Sequence, residues 1–150
     1  MPEEITVKIL NFNCLKDGRE RALTANSNNL TLQSSSNSDN QKWRLIPNLA
    51  LSGAAGGYTL FNVGKEQAAE QPPGGQQVRL NDDPTPYGNQ TYCWTFFNAG
   101  EDDGEQLWAI QTFDRGDSMD AEGGSCSSGT KVLRFRFRGR DNQKWVVRRV

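Results

Sequence analysis

The sequence predicts an all-β domain of three like units about a pseudo-threefold axis, and three observations carry that reading. The pentapeptide Asp39-Asn40-Gln41-Lys42-Trp43 returns as Asp141-Asn142-Gln143-Lys144-Trp145, and Trp94 stands midway, 51 residues from each tryptophan. A fixed period of this kind marks a repeat architecture, in which one unit cannot bury its apolar face alone. Three periods account for all 150 residues, giving one domain over 1–150 with repeats near 1–48, 49–99 and 100–150. Apolar residues also cluster in short β-branched or aromatic runs bounded by turn residues, the signature of strands.

Each unit opens on such a run: Ile5–Leu10, Tyr58–Val63 and Leu107–Gln111. A polar turn follows each, at Lys16-Asp17-Gly18, Gly64-Lys65-Glu66 and Asp114-Arg115-Gly116-Asp117. A second alternating run comes later, at Leu30–Leu32, Val78–Leu80 and Val132–Phe137, with Gly75 and Gly129 three residues ahead of the second and third. Thirteen residues separate Leu30 from Trp43 and Val132 from Trp145, whereas the middle unit inserts three more within a loop around Pro84–Gly88. The sole helix-like stretch, Lys65–Gln71, runs into Pro72-Pro73-Gly74-Gly75. Twelve short strands are expected, with Trp43, Trp94 and Trp145 meeting near the axis as the largest contributors to the core.

Composition excludes several functions. The sequence has no histidine, which removes the usual general base and the commonest metal ligand, and with them Ser-His and Cys-His nucleophilic sites. No enzyme chemistry, cofactor or metal is expected. No run approaches the roughly 20 apolar residues of a membrane-spanning helix. The acidic start Met1-Pro2-Glu3-Glu4 lacks an apolar signal region, so a cytoplasmic location is expected. Cys14, Cys93 and Cys126 fall at different phases of the three units, and free thiols are the corresponding expectation. Net charge is −1, but Lys131–Arg149 alone carries +7. The overall sign argues against nucleic acid as a partner.

The spaced Gln-x-Trp elements, intact in the first and third units and replaced by Tyr92-Cys93-Trp94 in the second, resemble those of the ricin-B-like β-trefoil lectins over the full chain. Within that family the cytosolic fungal lectins, which act on glycans of animals feeding on the fungus, are most similar. The resemblance implies a β-trefoil and reversible binding of galactose- or N-acetylgalactosamine-type glycans. The tryptophans and their paired glutamines report the fold, since a buried glutamine satisfies backbone groups. For sugar binding the resemblance implies a different set: a carboxylate for hydroxyls, an aromatic ring for the apolar sugar face, an asparagine and a glycine-rich turn.

The third unit matches best. Met119-Asp120-Ala121-Glu122-Gly123-Gly124 looks like the family's Asp-Val-x-x-Gly element, so Asp120 is the expected carboxylate and Gly123 its turn. Asn142 and Gln143 close the site, and Phe135 lies at the stacking position. Strict alternation instead allows Phe135 to be core, with Trp108 or Tyr87 supplying the ring. The first unit keeps Asn40 and Gln41, with Thr24 near the carboxylate position and Gln33 at the aromatic one, a weaker secondary site. The second places Glu66 at the carboxylate spacing and Asn81 at the aromatic one, and is expected to be inactive.

Two alternatives stand beside neutral-sugar binding. Alternation from Arg134 through Arg136, Arg138 and Arg140 would place four guanidiniums on one face, able to hold sulfated or sialylated glycans. The loops Gln67–Gln77 and Asp82–Gln90 are candidate protease-inhibitory segments, because a fold does not decide function. Dimerisation would add avidity to a glycan-binding protein.

Overall fold

The computed structural model describes residues 4–48, 57–82 and 88–150, and they form an all-β trefoil of twelve strands. Six strands close a barrel: β1 (Ile5–Asn11), β4 (Trp43–Asn48), β5 (Gly57–Asn62), β8 (Trp94–Asp102), β9 (Glu105–Gln111) and β12 (Trp145–Arg149). Each pairs antiparallel with the next, and β12 returns to β1. Closure leaves no unpaired edge around the barrel. Three hairpins cap one end: β2 (Arg21–Asn26) with β3 (Asn29–Ser34), β6 (Gln67–Glu70) with β7 (Arg79–Asn81), and β10 (Asp117–Ala121) with β11 (Val132–Arg136).

The cap is knit by backbone bonds across the pseudo-axis. Leu30 N donates to Val78 O and Val78 N to Val132 O, both at 2.9 Å. These three side chains are fully buried with Trp43, Trp94 and Trp145 in one core. Each indole Nε1 donates to a carbonyl of its own unit's hairpin: Leu23 at 3.0 Å, Ala69 at 2.9 Å and Met119 at 3.2 Å. Each of these three tryptophans therefore buries a large apolar surface and fixes a hairpin over the barrel without leaving its one donor unpaired.

The strands stand where the apolar runs place them, with three departures. Lys65–Gln71 is not helical: the chain turns at Glu66, whose φ is +54°, and continues as β6, since the run must cross-pair with β5 and β7. A short helix, α1 (Phe12–Lys16), precedes the expected turn at Gly18, with the Asn11 side chain capping Cys14 N. Finally, the thiols are not all free. Cys14 on α1 and Cys126 after the third hairpin's turn form a disulfide with a Cα–Cα separation of 5.6 Å, and only Cys93 is a free thiol, buried and pushed up to about 11 by that burial. Their different phases do not keep them apart, because α1 packs against the neighbouring unit. No helix among the described residues is long and apolar enough to cross a membrane.

Candidate functional site

The acceptor carbonyls of the tryptophans locate the corresponding positions of the three units. The residue after each acceptor is Thr24, Glu70 and Asp120, paired across its hairpin with Thr31, Arg79 and Leu133. The carboxylate position of the second unit is thus Glu70, not Glu66, which lies exposed in the turn before β6. Two residues further along the second strand of each hairpin stand Gln33, Asn81 and Phe135, as the spacing predicts.

Among the described residues, the third unit brings a carboxylate, the asparagine before the Gln-x-Trp glutamine and a ring to one cleft. Asp120 is 8% exposed at the floor of an open cleft of about 460 Å³. Its Oδ1 accepts from Asn142 Nδ2 at 3.2 Å, and its Oδ2 from Gln143 Nε2 at 2.9 Å. Asn142 also donates to Ala121 O at 2.9 Å. Gln143 is fully engaged: it donates to Arg136 O as well, and its Oε1 accepts from Arg138 N. Gln143 therefore positions Asp120, while Asn142 lies at the cleft wall. Burial raises the Asp120 carboxyl above its ordinary range. The bond from Gln143 and the positive charges of Arg140 and Arg138 pull it back, and Glu122 adds to the rise.

The turn Glu122–Gly124 forms one rim, with Gly123 at φ +64° and Gly124 at +72°, backbone that favours glycine. Phe135 is on the cleft side of β11 and 39% exposed; Val132 takes the core position. Trp108 lies elsewhere, edge-on to Phe96 at the other end of the barrel, where it lines an apolar hollow with Ile5, Leu45 and Tyr58. Tyr87 lies outside the described residues.

The first unit lacks this arrangement. The Thr24 hydroxyl donates to Ala22 O at 2.8 Å, and Gln41 is spent on Ser34 O and Ser36 N. Asn40 is packed beside Gly64 and its carbonyl accepts from Asn62. In the second unit Tyr92 takes the glutamine's place and its hydroxyl donates to Asp82 O, the same hairpin-end carbonyl role played by Ser34 O and Arg136 O. Glu70 meets that hydroxyl at 3.1 Å and Arg79 at 2.5 Å, so its carboxylate is already paired.

The four-arginine face does not form. Arg134 is held inward by Asp117 at 2.7 Å and Pro72 O at 3.0 Å. Strand β11 ends at Arg136, and Gly139, at φ +68°, turns the chain, so Arg138 and Arg140 line the cleft instead. Of the candidate inhibitory loops, Gln67–Gln77 contains β6 and is pinned by the Gln71 side chain, which donates to Gln90 O and Cys93 O and accepts from Phe113 N. In Asp82–Gln90, residues 83–87 lie outside the described residues. Sequence reasoning had no signal for Glu70, because the count from the preceding turn differs between units.

The sequence model described as ricin-type beta-trefoil lectin domain-like matches residues 39–134. It thus spans Asp120 and stops short of Asn142. No curated protein matches the chain. Among solved structures, the designed threefold-symmetric protein ThreeFoil is similar at 21% identity, covering 97% of this chain and 99% of its own, with a TM-score of 0.75. The Rhizoctonia solani agglutinin shares 22% identity over 100% of this chain and 98% of its own, at 0.68. The Macrolepiota procera ricin B-like lectin in complex with lactose shares 17% over 100% and 99%, at 0.77. At such identities the likeness is one of fold.

Proposed function

Because the chain belongs to the ricin-type beta-trefoil lectin domain-like family, we propose that it binds glycans reversibly, without turning them over, at the third-unit cleft. The observation that carries this reading is the Asp120 carboxylate, held at the cleft floor by Asn142 and Gln143 beside the exposed ring of Phe135. A buried carboxylate with fixed orientation accepts hydrogen bonds from neighbouring sugar hydroxyls at little reorganisation cost. Phe135 offers an apolar face for the sugar's C–H groups, and the glycine rim lets backbone approach. Galactose-type sugars are the proposed ligands, supported by the similar fold of the lectin crystallised with lactose. The first and second units contribute hairpin anchoring, since Thr24 and Glu70 are already satisfied within the protein.

The test is a glycan array followed by calorimetric titration with lactose, using the native chain and Asn142→Ala. Native binding to terminal galactosides, weakened about tenfold in the variant while lactose is recovered unhydrolysed, is expected. An array blank for every neutral and acidic glycan overturns the proposal. A protease-inhibition panel would then test the remaining loop, Asp82–Gln90.

A further inference from the structure

Arg138 and Arg140 stand at the cleft without an ion-pair partner. Neither guanidinium makes an ion pair or a side-chain hydrogen bond among the described residues, unlike Arg79, Arg134 and Arg148 but like the exposed Arg115, Arg136 and Arg149; what sets this pair apart is that both line the cleft. Arg138 instead lies over the Phe135 ring, 5.5 Å from its centroid. The other units show what these positions do when they only serve the fold. By the glutamine's contacts Arg138 corresponds to Ser36, since each gives its backbone N–H to the Gln-x-Trp glutamine. Arg140 precedes its 3-10 turn as Ser38 and Asn89 precede theirs. Ser38 and Asn89 each accept a turn N–H on the side chain, and Arg140 makes no such cap. The third unit alone has given up a capping acceptor and set two cations there, in the unit that also holds Asp120 and Phe135.

We infer that the cleft selects a galactoside bearing an anionic substituent, a sulfate or a carboxylate, which the guanidiniums of Arg138 and Arg140 grip while Asp120 and Asn142 take the sugar hydroxyls. This rests on the sugar-site reading above. A neutral sugar stacking on Phe135 displaces Arg138 from the ring and gives it nothing in exchange. An acidic sugar supplies that cation with a partner, two anionic oxygens that guanidinium can meet with two parallel bonds. Glu122, which also lines the cleft, repels an acid group close to itself and so favours one at the arginines. The arginines are not spent on Asp120, from which neither reaches ion-pair distance; the side-chain partners of Asp120 are Asn142 and Gln143.

The experiment titrates the full chain with lactose, 3′-sulfolactose and 3′-sialyllactose at 50 mM and 500 mM salt, for the native protein, Arg138→Gln and Arg140→Ser. The second substitution restores the capping hydroxyl found at Ser38, so its melting temperature should hold or rise. Native protein is expected to prefer at least one acidic ligand to lactose by about tenfold at low salt, with the preference shrinking at high salt. Each variant should cut that preference several-fold, the loss of affinity for the acidic ligand exceeding any change for lactose. The two acidic probes separate a sulfate site from a carboxylate site. Lactose binding with no acid preference, or a preference that both variants retain, overturns this inference alone. Loss of lactose binding in the variants in step with the acids also overturns it, because the arginines would then only be supporting Asp120. Failure of all three sugars overturns it together with the sugar-site reading.

Discussion

Replacing Asp120 by asparagine separates the binding role of this carboxylate from its place in the fold. In the fold Asp120 accepts from two donors, Asn142 Nδ2 and Gln143 Nε2, one on each oxygen. An asparagine presents one acceptor and one NH2, so one of the two donors must face another donor. That costs about 1 kcal/mol of hydrogen bonding. Removing a charge from a site 8% exposed works the other way, since desolvation opposes the ionised form. The net change in stability should stay within about 1 kcal/mol, or roughly 2–4 °C in melting temperature for a chain of this size. Binding has no such offset. A carboxylate accepting from sugar hydroxyls contributes about 1.5–3 kcal/mol as a charge-assisted bond, and losing it raises Kd by about 10- to 150-fold. Calorimetric titration with lactose beside differential scanning calorimetry reads both quantities on one preparation. If Asp120→Asn melts like the native chain and binds within threefold of it, Asp120 does not hold the sugar and the site assignment fails.

Acid should separate binding from folding in the same protein. Asp120 is raised by burial, so lactose affinity should fall with a midpoint above the ordinary aspartate value of about 3.9 and should not do so in Asp120→Asn. Stability follows the opposite group of carboxylates. Asp141, held low chiefly by Lys16, Asp114 by the Gly116 N–H and Glu105 by Arg148 contribute stability above their unfolded pKa values and lose it as pH falls through their lower folded ones. A binding curve that tracks unfolding by circular dichroism across the same pH series would contradict this order. Cutting the Cys14–Cys126 bridge, which spans 112 residues, by Cys14→Ser with Cys126→Ser should cost about 3–4 kcal/mol and lower the melting temperature by roughly 10 °C. Thiol titration of the native oxidised chain should find none reactive until unfolding exposes Cys93, and an unchanged melting temperature would show the bridge contributes nothing. Gly64→Ala would set a Cβ 2.1 Å from Asn40 Oδ1 and 2.9 Å from Asn40 N, so a loss of about 1–3 kcal/mol in urea unfolding is expected; a neutral result would mean Asn40 repacks freely.

The sequence displays what symmetry repeats and hides what symmetry breaks. Trp43, Trp94 and Trp145 return at one period because each performs the same two tasks, filling the core and bonding a hairpin carbonyl. Phe135, Asn142 and Asp120 were legible for a related reason: their spacing lies within one hairpin and its closing turn, where chain length fixes position. Glu70 was not, because a count made from the preceding turn is shifted by the different turn lengths of the units. The disulfide was invisible since Cys14 and Cys126 meet only when α1 lies against the third unit. The four-arginine face assumed that β11 continues past Arg136, but Gly139 ends the alternation on which it depended.

The departures from symmetry fall where a ligand would be met. At the carboxylate position Thr24 turns back on its own strand, Glu70 is closed by Arg79, and Asp120 opens to a cleft. At the cap position Ser38 and Asn89 stabilise their turns, while Arg140 does not. Stability selects the same residue at equivalent places, because the backbone needs are equivalent. A substitution that forgoes a cap gives up local stability, and the two cations it leaves at the cleft, beside Phe135 and Asp120, are placed where an anionic ligand would meet them. On the sugar-site proposal the three units take different tasks within one scaffold: two satisfied hairpins hold the third in place, and the third carries the hydrogen-bonding and charged groups that line the cleft.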